Sequence, residues 1–320
     1  MTVKILTHGD TDGLCAGALA YARYPEGEVW FTHPAGLLND LKDVDAEIVI
    51  ICDVAISEGD KNKIFSQFTR ISGSGELLYI DHHPLPLETL SGDLPCTQVV
   101  RDRTKSASEL TFRFFEAEIP PELNRVALFG AISDYCDETK FIRDELDIYD
   151  KRTIYLEAGL LSQCLNEARG NPNYKREVLY QLANGAMPSE IDGVVEKAMK
   201  STEKEWDAYS YVHRRVEVVD GIAIVKNVPR GISPTKVAKF SMGIAGKDIG
   251  IGLKFKKDFA DLGVRKRGDF PLDLNRVLRT IAPRFGGTGG GHPTAGGARI
   301  PKEHLDEFIS AFAKEISAII

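Results

Sequence analysis

Short β-rich apolar runs alternate with helical patterns through the first hundred residues. V-K-I-L at 3–6 is followed by L-C-A-G-A-L-A-Y at 14–21, I-V-I-I-C-D at 48–53, I-F-S-Q-F at 64–68, L-L-Y-I-D at 77–81 and T-Q-V-V at 97–100. Strand runs that are mainly apolar rather than alternating, separated by helices, predict a parallel sheet covered on both faces. In such sheets ligands bind outside the carboxyl ends of the strands. Ser106 followed by Glu109 reads as a capping box opening the helix S-E-L-T-F-R-F-F, and 125–134 reads as a further buried helix. Helical patterns continue over 144–168 and 174–184, and a polar connecting helix is expected from Pro188, with Ser189 as its cap, to about Tyr209.

Beyond that point the pattern changes. R-R-V-E-V-V-D-G-I-A-I-V reads as two strands joined at Asp220-Gly221, a hairpin turn pair. A helix from Ser233-Pro234, a strand near 249–255, a strand holding V-R-K-R, the helix D-L-N-R-V-L-R-T-I-A and a terminal helix complete the chain. The expected architecture is α/β: an N-terminal parallel-sheet domain over 1–187, a connecting helix over 188–208 and a smaller mixed α+β domain over 209–320, closing over an active-site cleft.

With 320 residues, 43% hydrophobic and 27% charged, the composition is that of a folded two-domain protein. The chain has no apolar run long enough for a membrane span and no signal-peptide pattern at Met1, so a cytoplasmic protein without a membrane partner is expected. The five cysteines are odd in number with no C-x-x-C pair, which argues against a disulfide framework and against a thiolate metal site. A net charge of −7 excludes bulk electrostatic coating of long nucleic acid. Its distribution adds more: residues 1–60 carry eleven acidic and three basic side chains, whereas 254–284 carry nine basic and four acidic ones.

The acidic residues sit where ionised groups are costly. His8, Asp10 and Asp12 follow the first run, Asp53 ends I-V-I-I-C-D, Asp81, His82 and His83 end L-L-Y-I-D-H-H, and Asp134 ends A-L-F-G-A-I-S-D. Gathered at one sheet edge, these carboxylates and imidazoles would repel unless cations joined them. Oxygen and nitrogen donors suit Mn²⁺ foremost, with Mg²⁺ and Co²⁺ as alternatives, and the surplus of carboxylates suits two ions. Such a pair serves displacement at phosphorus.

H-G-D-T-D-G, I-C-D-V, D-H-H-P and A-I-S-D resemble, in order and spacing, the four motifs of the DHH phosphoesterase family, which includes RecJ exonucleases, nanoRNases, cyclic-dinucleotide phosphodiesterases, exopolyphosphatases and family II pyrophosphatases. The closing F-G-G-T-G-G-G-H-P-T-A-G-G-A, with V-R-K-R-G and D-L-N-R-V before it, resembles the C-terminal DHH-associated substrate domain of the nanoRNase and RecJ branch. The resemblance implies that His8 and Asp10 hold one metal and Asp12, His82 and Asp134 the other, with Asp53 bridging. It implies that His83 faces substrate phosphate as donor or acid, while Asp81 orients a ligating histidine. The spacing H-x-D-x-D follows the RecJ-like form rather than H-x-x-x-D-x-D, so His8 stays open between ligand and supporting residue.

The glycines Gly289, Gly290 and Gly291 let backbone N–H groups approach an anion, His292 adds a donor, and Arg265 resembles the arginine this domain turns to substrate phosphate. The implied activity is metal-dependent hydrolysis of short single-stranded oligonucleotides or small nucleotide phosphodiesters to mononucleotides, by a protein whose base-rate assembly is a homodimer. A polyphosphate or pyrophosphate hydrolase would share the metal site. A non-catalytic nucleotide sensor would be expected to have lost ligands, and here every ligand position is filled. Aromatic side chains placed for base stacking would favour nucleotides, with Phe31, Tyr135, Phe255 and Phe285 as candidates.

Overall fold

Four of the apolar runs become strands of one parallel sheet: β1 (Val3–His8), β3 (Ile48–Cys52), β4 (Glu76–Asp81) and β5 (Gln98–Arg101), with β2 (Glu28–Thr32) added beside β1. The computed structural model describes residues 1–318. The strand order is β2-β1-β3-β4-β5 and every neighbouring pair is parallel. The edge strand β2 has only the three-residue apolar run V-W-F; Glu28 faces solvent and Trp30 is covered on one face by Lys4 Nζ at 3.5 Å.

Alternation along the strands sorts the core into two layers. Ile5, Ile50, Leu78 and Ile80 pack with helices α1 (Thr11–Arg23), α4 (Ala107–Phe115), α5 (Asn124–Ser133), α7 (Lys151–Glu167) and α8 (Pro172–Ala183). Leu6, Val49, Ile51, Leu77 and Tyr79 pack on the other face with α2 (Leu37–Lys42) and α3 (Lys61–Ser74). The 144–168 pattern divides into α6 (Lys140–Leu146) and α7, because the Asp150 carboxylate accepts from Arg152 N at 2.9 Å and starts a new helix. Only half of the capping box forms: Ser106 Oγ accepts from Glu109 N at 3.0 Å, but the Glu109 carboxylate turns away to accept from Thr139.

Two compact units divide between Thr202 and Glu203, within α9 (Val194–His213). Ser189 does not cap this helix; it lies in a single turn, Pro188–Glu190, and its N–H and hydroxyl both donate to Glu157. The second unit contains β6 (Glu217–Val219), β7 (Ile222–Val225), β8 (Ile249–Phe255), β9 (Phe259–Lys266), β10 (Thr288–Gly291) and β11 (Ala295–Pro301). Their order is β10-β11-β9-β8-β7-β6, antiparallel except for β7–β8. Asp220 and Gly221 both have positive φ, as the two-residue hairpin requires. Helix α10 (Pro234–Ala245) rests directly on β8 and β9: a Cβ at Gly250 would lie 2.0 Å from Ala238 O, and one at Gly263 2.2 Å from Thr235 N. Helices α11 (Leu274–Ile281) and α12 (Leu305–Ser317) contribute to the unit's main core. Among the described residues no helix is long and apolar enough to cross a membrane.

Candidate metal centre

The loop after β1 is folded around a missing side chain. Asp10 caps α1, accepting from Gly13 N at 3.1 Å, and a Cβ on Gly13 would lie 2.6 Å from His8 Cβ and 2.9 Å from Asp53 Oδ2. Hydrogen is the only substituent this space admits. Gly13→Ala is expected to cost about 1–3 kcal/mol of stability as an overpacking change, and to weaken divalent-ion binding by moving His8 off Asp53; denaturant unfolding and calorimetric metal titration read the two effects. Lys175 of α8, itself buried, ties the loop from behind by donating to the Gly9 carbonyl.

Three further elements deliver their side chains to the same place. Asp53 follows β3 with φ of 58°, a left-handed conformation that Asp tolerates better than most residues. His82 and His83 follow β4, and Asp134 ends α5. His8 Nδ1 lies 2.8 Å from Asp10 Oδ2 and 3.8 Å from Asp53 Oδ2. His82 Nε2 lies 3.3 Å from Asp53 Oδ1, 3.5 Å from Asp134 Oδ2 and 3.8 Å from Asp12 Oδ2. Among the donor groups that result are His8–Asp10–Asp53 and Asp12–Asp53–His82, and Asp53 is common to both.

Asp53 tests whether this donor set fits cations. It is 2% exposed, and neither of its oxygens accepts a well-aligned hydrogen bond. Burial, reinforced by Asp10 and Asp12, pushes its carboxyl up to about 8; burial and Asp12 push Asp134 up to about 7. Burial opposes a charge on His8, yet Asp10 and Asp53 outweigh it and raise the ring to about 9. These groups therefore share protons where they would otherwise repel, and divalent ions compete for the same atoms. The residues fit the expected metals. Asp12 is held differently from the rest: both its oxygens accept from the first N–H groups of α4, Ala107 at 2.7 Å and Ser108 at 3.0 Å. Each oxygen keeps a second lone pair for an ion.

In the second unit Arg265, near the end of β9, pairs with Ala295 at the start of β11. His292 opens the turn that leads there, its N–H donating to the Ala295 carbonyl at 2.7 Å. Arg265 and His292 therefore share one end of that sheet. Gly289, Gly290 and Gly291 form an extended strand rather than a compact anion nest, and Gly291 N donates to Asn275 Oδ1 at 3.1 Å. Their lack of side chains admits α11, since a Cβ on Gly289 would lie 3.0 Å from Leu278 O. Lys266 is occupied by the carbonyls of Arg267, Gly268 and Phe270, and Arg267 pairs with Asp248 and Asp269.

Residues 222–318 match the DHHA1 domain family. No curated protein matches the chain. Among solved structures, the pGpG-specific phosphodiesterase PggH of Vibrio cholerae is 18% identical and superposes with a TM-score of 0.60 over 99% of this chain and 100% of its own. RecJ of Thermus thermophilus, in complex with Mn²⁺, gives 14% identity and a TM-score of 0.68 over 100% of this chain but 52% of the longer RecJ chain. An exopolyphosphatase-related protein of Bacteroides fragilis gives 15% and 0.54, over 98% of this chain and 92% of its own. The C-terminal unit matches the DHHA1 family, and the chain shares its fold with these structures. One fold thus spans relatives whose descriptions name different phosphate compounds, so the substrate has to be argued from residues.

In the first unit the structure adds residues that the motifs do not contain. Asp81 Oδ1 lies 2.8 Å from His83 Nδ1, so the histidine it orients is His83 and not the His82 of the carboxylate cluster. Arg101, at the end of β5, donates through Nη1 to Asp81 Oδ2 at 2.6 Å and through Nη2 to the His83 carbonyl. Tyr135 follows Asp134 and is 78% exposed, with φ of 58°. The other stacking candidates are more confined: Phe31 and Phe285 pack against cores, and Phe255 lies under Lys302.

Proposed function

We propose that this protein is a metal-dependent phosphoesterase that hydrolyses short oligonucleotides or small nucleotide phosphodiesters to mononucleotides. The observation that carries the reaction class is Asp53, buried, without an aligned hydrogen bond, and common to two donor groups. In this reading His8 and Asp10 would hold one divalent ion, Asp12, His82 and Asp134 would hold a second, and Asp53 would serve both. When bound, such ions, Mn²⁺ foremost, supply Lewis acidity and charge neutralisation for displacement at phosphorus. Asp81 and Arg101 fix His83 so that the ring meets a substrate phosphate oxygen as a donor. Within the DHHA1 unit taken by itself, Arg265 and His292 are the proposed phosphate donors, with Gly289 to Gly291 as the side-chain-free strand beside them.

Tyr135 favours a nucleotide over an inorganic phosphate chain. It occupies the residue after the α5 C-cap: its N–H donates to Ile132 O at 3.3 Å and the Cys136 N–H to Ala131 O at 2.8 Å, the Schellman pattern in which glycine is usual. A tyrosine there costs roughly 1–2 kcal/mol in backbone strain. Its outward ring, next to Asp134, gives a reason to retain it: a surface on which a base can stack. Tyr135→Gly is therefore expected to raise stability by roughly 1 kcal/mol while raising KM for a dinucleotide roughly 5- to 150-fold, the equivalent of about 1–3 kcal/mol per stacked base. Thermal unfolding and steady-state kinetics measure the two opposed shifts.

The test of the whole reading is a Mn²⁺-dependent hydrolysis screen over 5′-phosphorylated dinucleotides, RNA and DNA oligomers of two to five nucleotides, cyclic dinucleotides, polyphosphate and pyrophosphate. Release of mononucleotides supports it. Turnover confined to polyphosphate or pyrophosphate overturns the substrate class, and no turnover by metal-loaded protein overturns the reaction class.

A further inference from the structure

The Schellman turn that exposes Tyr135 also folds Cys136 back toward the carboxylates. Its Sγ lies 3.7 Å from the Asp134 carbonyl and 3.9 Å from Asp134 Oδ2. His82, Asp134 and Cys136 offer a nitrogen, an oxygen and a sulfur that all lie within 4.8 Å of one another. His82 Nε2 is also 3.5 Å from Asp134 Oδ2, a separation that matches an edge of a coordination shell with metal–ligand bonds of about 2.0 to 2.3 Å. An independent observation points to an ion at this position: Asp53 Oδ1, buried and accepting no aligned hydrogen bond, is 3.3 Å from the same His82 Nε2.

We propose that Cys136 is a metal ligand, donating a thiolate to the ion held by Asp12, Asp53, His82 and Asp134. The absence of a C-x-x-C pair argued against sulfur ligation, but that spacing rule concerns sites built mainly of cysteines. Here a single thiol joins imidazole and carboxylates by the turn of a helix end. On binding, the thiol proton passes to solvent and the sulfur lone pair goes to the ion. A sulfur donor shifts preference from Mg²⁺ toward Co²⁺, Zn²⁺ and Fe²⁺, and it gives the metal-free centre an oxidisable group that the ion covers. The other described cysteines lack this setting: Cys15, Cys52 and Cys164 are buried among core side chains, and Cys96 packs against the opposite layer.

This inference rests on the metal-centre reading above, and cobalt spectroscopy separates the two. Metal-free protein is titrated with Co²⁺: visible ligand-field bands report a bound ion whatever its ligands, and a near-ultraviolet sulfur-to-cobalt charge-transfer band reports a thiolate. The wild type is expected to show both. Cys136→Ser is expected to keep the visible bands, lose the near-ultraviolet band and bind Co²⁺ on the order of 10- to 100-fold more weakly, by analogy with the loss of other groups that tune a metal site. Visible bands without charge transfer in the wild type, or charge transfer that survives in Cys136→Ser, overturn the proposal and leave the metal centre standing. No cobalt bands at all overturn both. Iodoacetamide labelling of the wild type provides a check that needs no variant: Co²⁺ should slow alkylation of Cys136 at least about tenfold and leave Cys96 unchanged, and equal rates at Cys136 with and without bound cobalt overturn the assignment.

Discussion

Asp53→Asn is expected to reduce turnover by about 10³-fold or more, the scale on which loss of a preorganised electrostatic group slows catalysis, while making the metal-free protein more stable. The two effects have one cause. Asp53 is placed among Asp10, Asp12, His8 and His82 with no aligned hydrogen bond to its oxygens, so without ions its charge is a liability. An amide of the same shape removes that charge, and a gain of roughly 1–3 kcal/mol is expected at pH 8, the scale of a buried unsatisfied polar group. A misfolded variant would lose activity and stability together. Chemical denaturation of chelator-treated proteins, set beside Mn²⁺-dependent hydrolysis, therefore distinguishes a lost ligand from a damaged fold; a metal-free Asp53→Asn protein less stable than wild type would contradict this account.

The same argument fixes a pH dependence. Asp53 moves from 3.8 to about 8 on folding and His8 from 6.5 to about 9, so between these limits the folded protein holds more protons than the unfolded chain. Stability of the metal-free wild type should then fall as pH rises from about 4 to 9, and the slope should be shallower in Asp53→Asn. Saturating Mn²⁺ should remove most of the slope in the wild type, because the ions replace the protons. Unfolding midpoints across that pH range, with and without metal, measure it.

The parallel sheet was legible because β1, β3 and β4 are buried on both faces and are mainly apolar: I-V-I-I-C in β3 and L-L-Y-I in β4 are unbroken, and only Lys4 interrupts V-K-I-L in β1. The metal-centre candidates were legible for a related reason: an aspartate directly after such a run has few harmless explanations. Strand β2 was not legible, since an edge strand that mixes Glu28 and Trp30 carries no periodic pattern. The glycine run was visible but its geometry was not. A nest and a strand pressed against α11 both call for glycine, and only the position of Leu278 separates them. Tyr135 could be seen as an aromatic, but its left-handed backbone depends on how α5 terminates. Lys175 and Arg101 were missed because each acts across the fold, one on Gly9 and the other on Asp81 and the His83 carbonyl; an arginine at the end of T-Q-V-V resembles any solvated strand terminus until β4 lies beside it.

Arg101 should prove to be among the most costly single residues to remove. Its side chain and that of Asp81 are 6% and 1% exposed, and they meet at 2.6 Å beside the Tyr79 hydroxyl, which lies 3.0 Å from the same carboxylate oxygen. With the guanidinium in place, Asp81 is held well below the ordinary carboxylate range, against the pull of burial, by His83 and Arg101 together. Arg101→Ala leaves that carboxylate in the core with His83 as its main partner, and a loss of about 3–5 kcal/mol is expected, as for other broken buried pairs. Arg101→Lys should recover only part of it, since a single ammonium does not reproduce the fork that spans Asp81 and the His83 carbonyl. Adding Asp81→Asn to Arg101→Ala should restore stability, because a neutral amide needs no counter-charge, yet activity should stay on the order of 10- to 100-fold down if the pair's task is to hold the His83 ring. Denaturation of the two single variants and the double variant measures the coupling. Effects that add to within about 0.5 kcal/mol would show that Arg101 and Asp81 act independently, and the support assigned to His83 would then have to come from elsewhere.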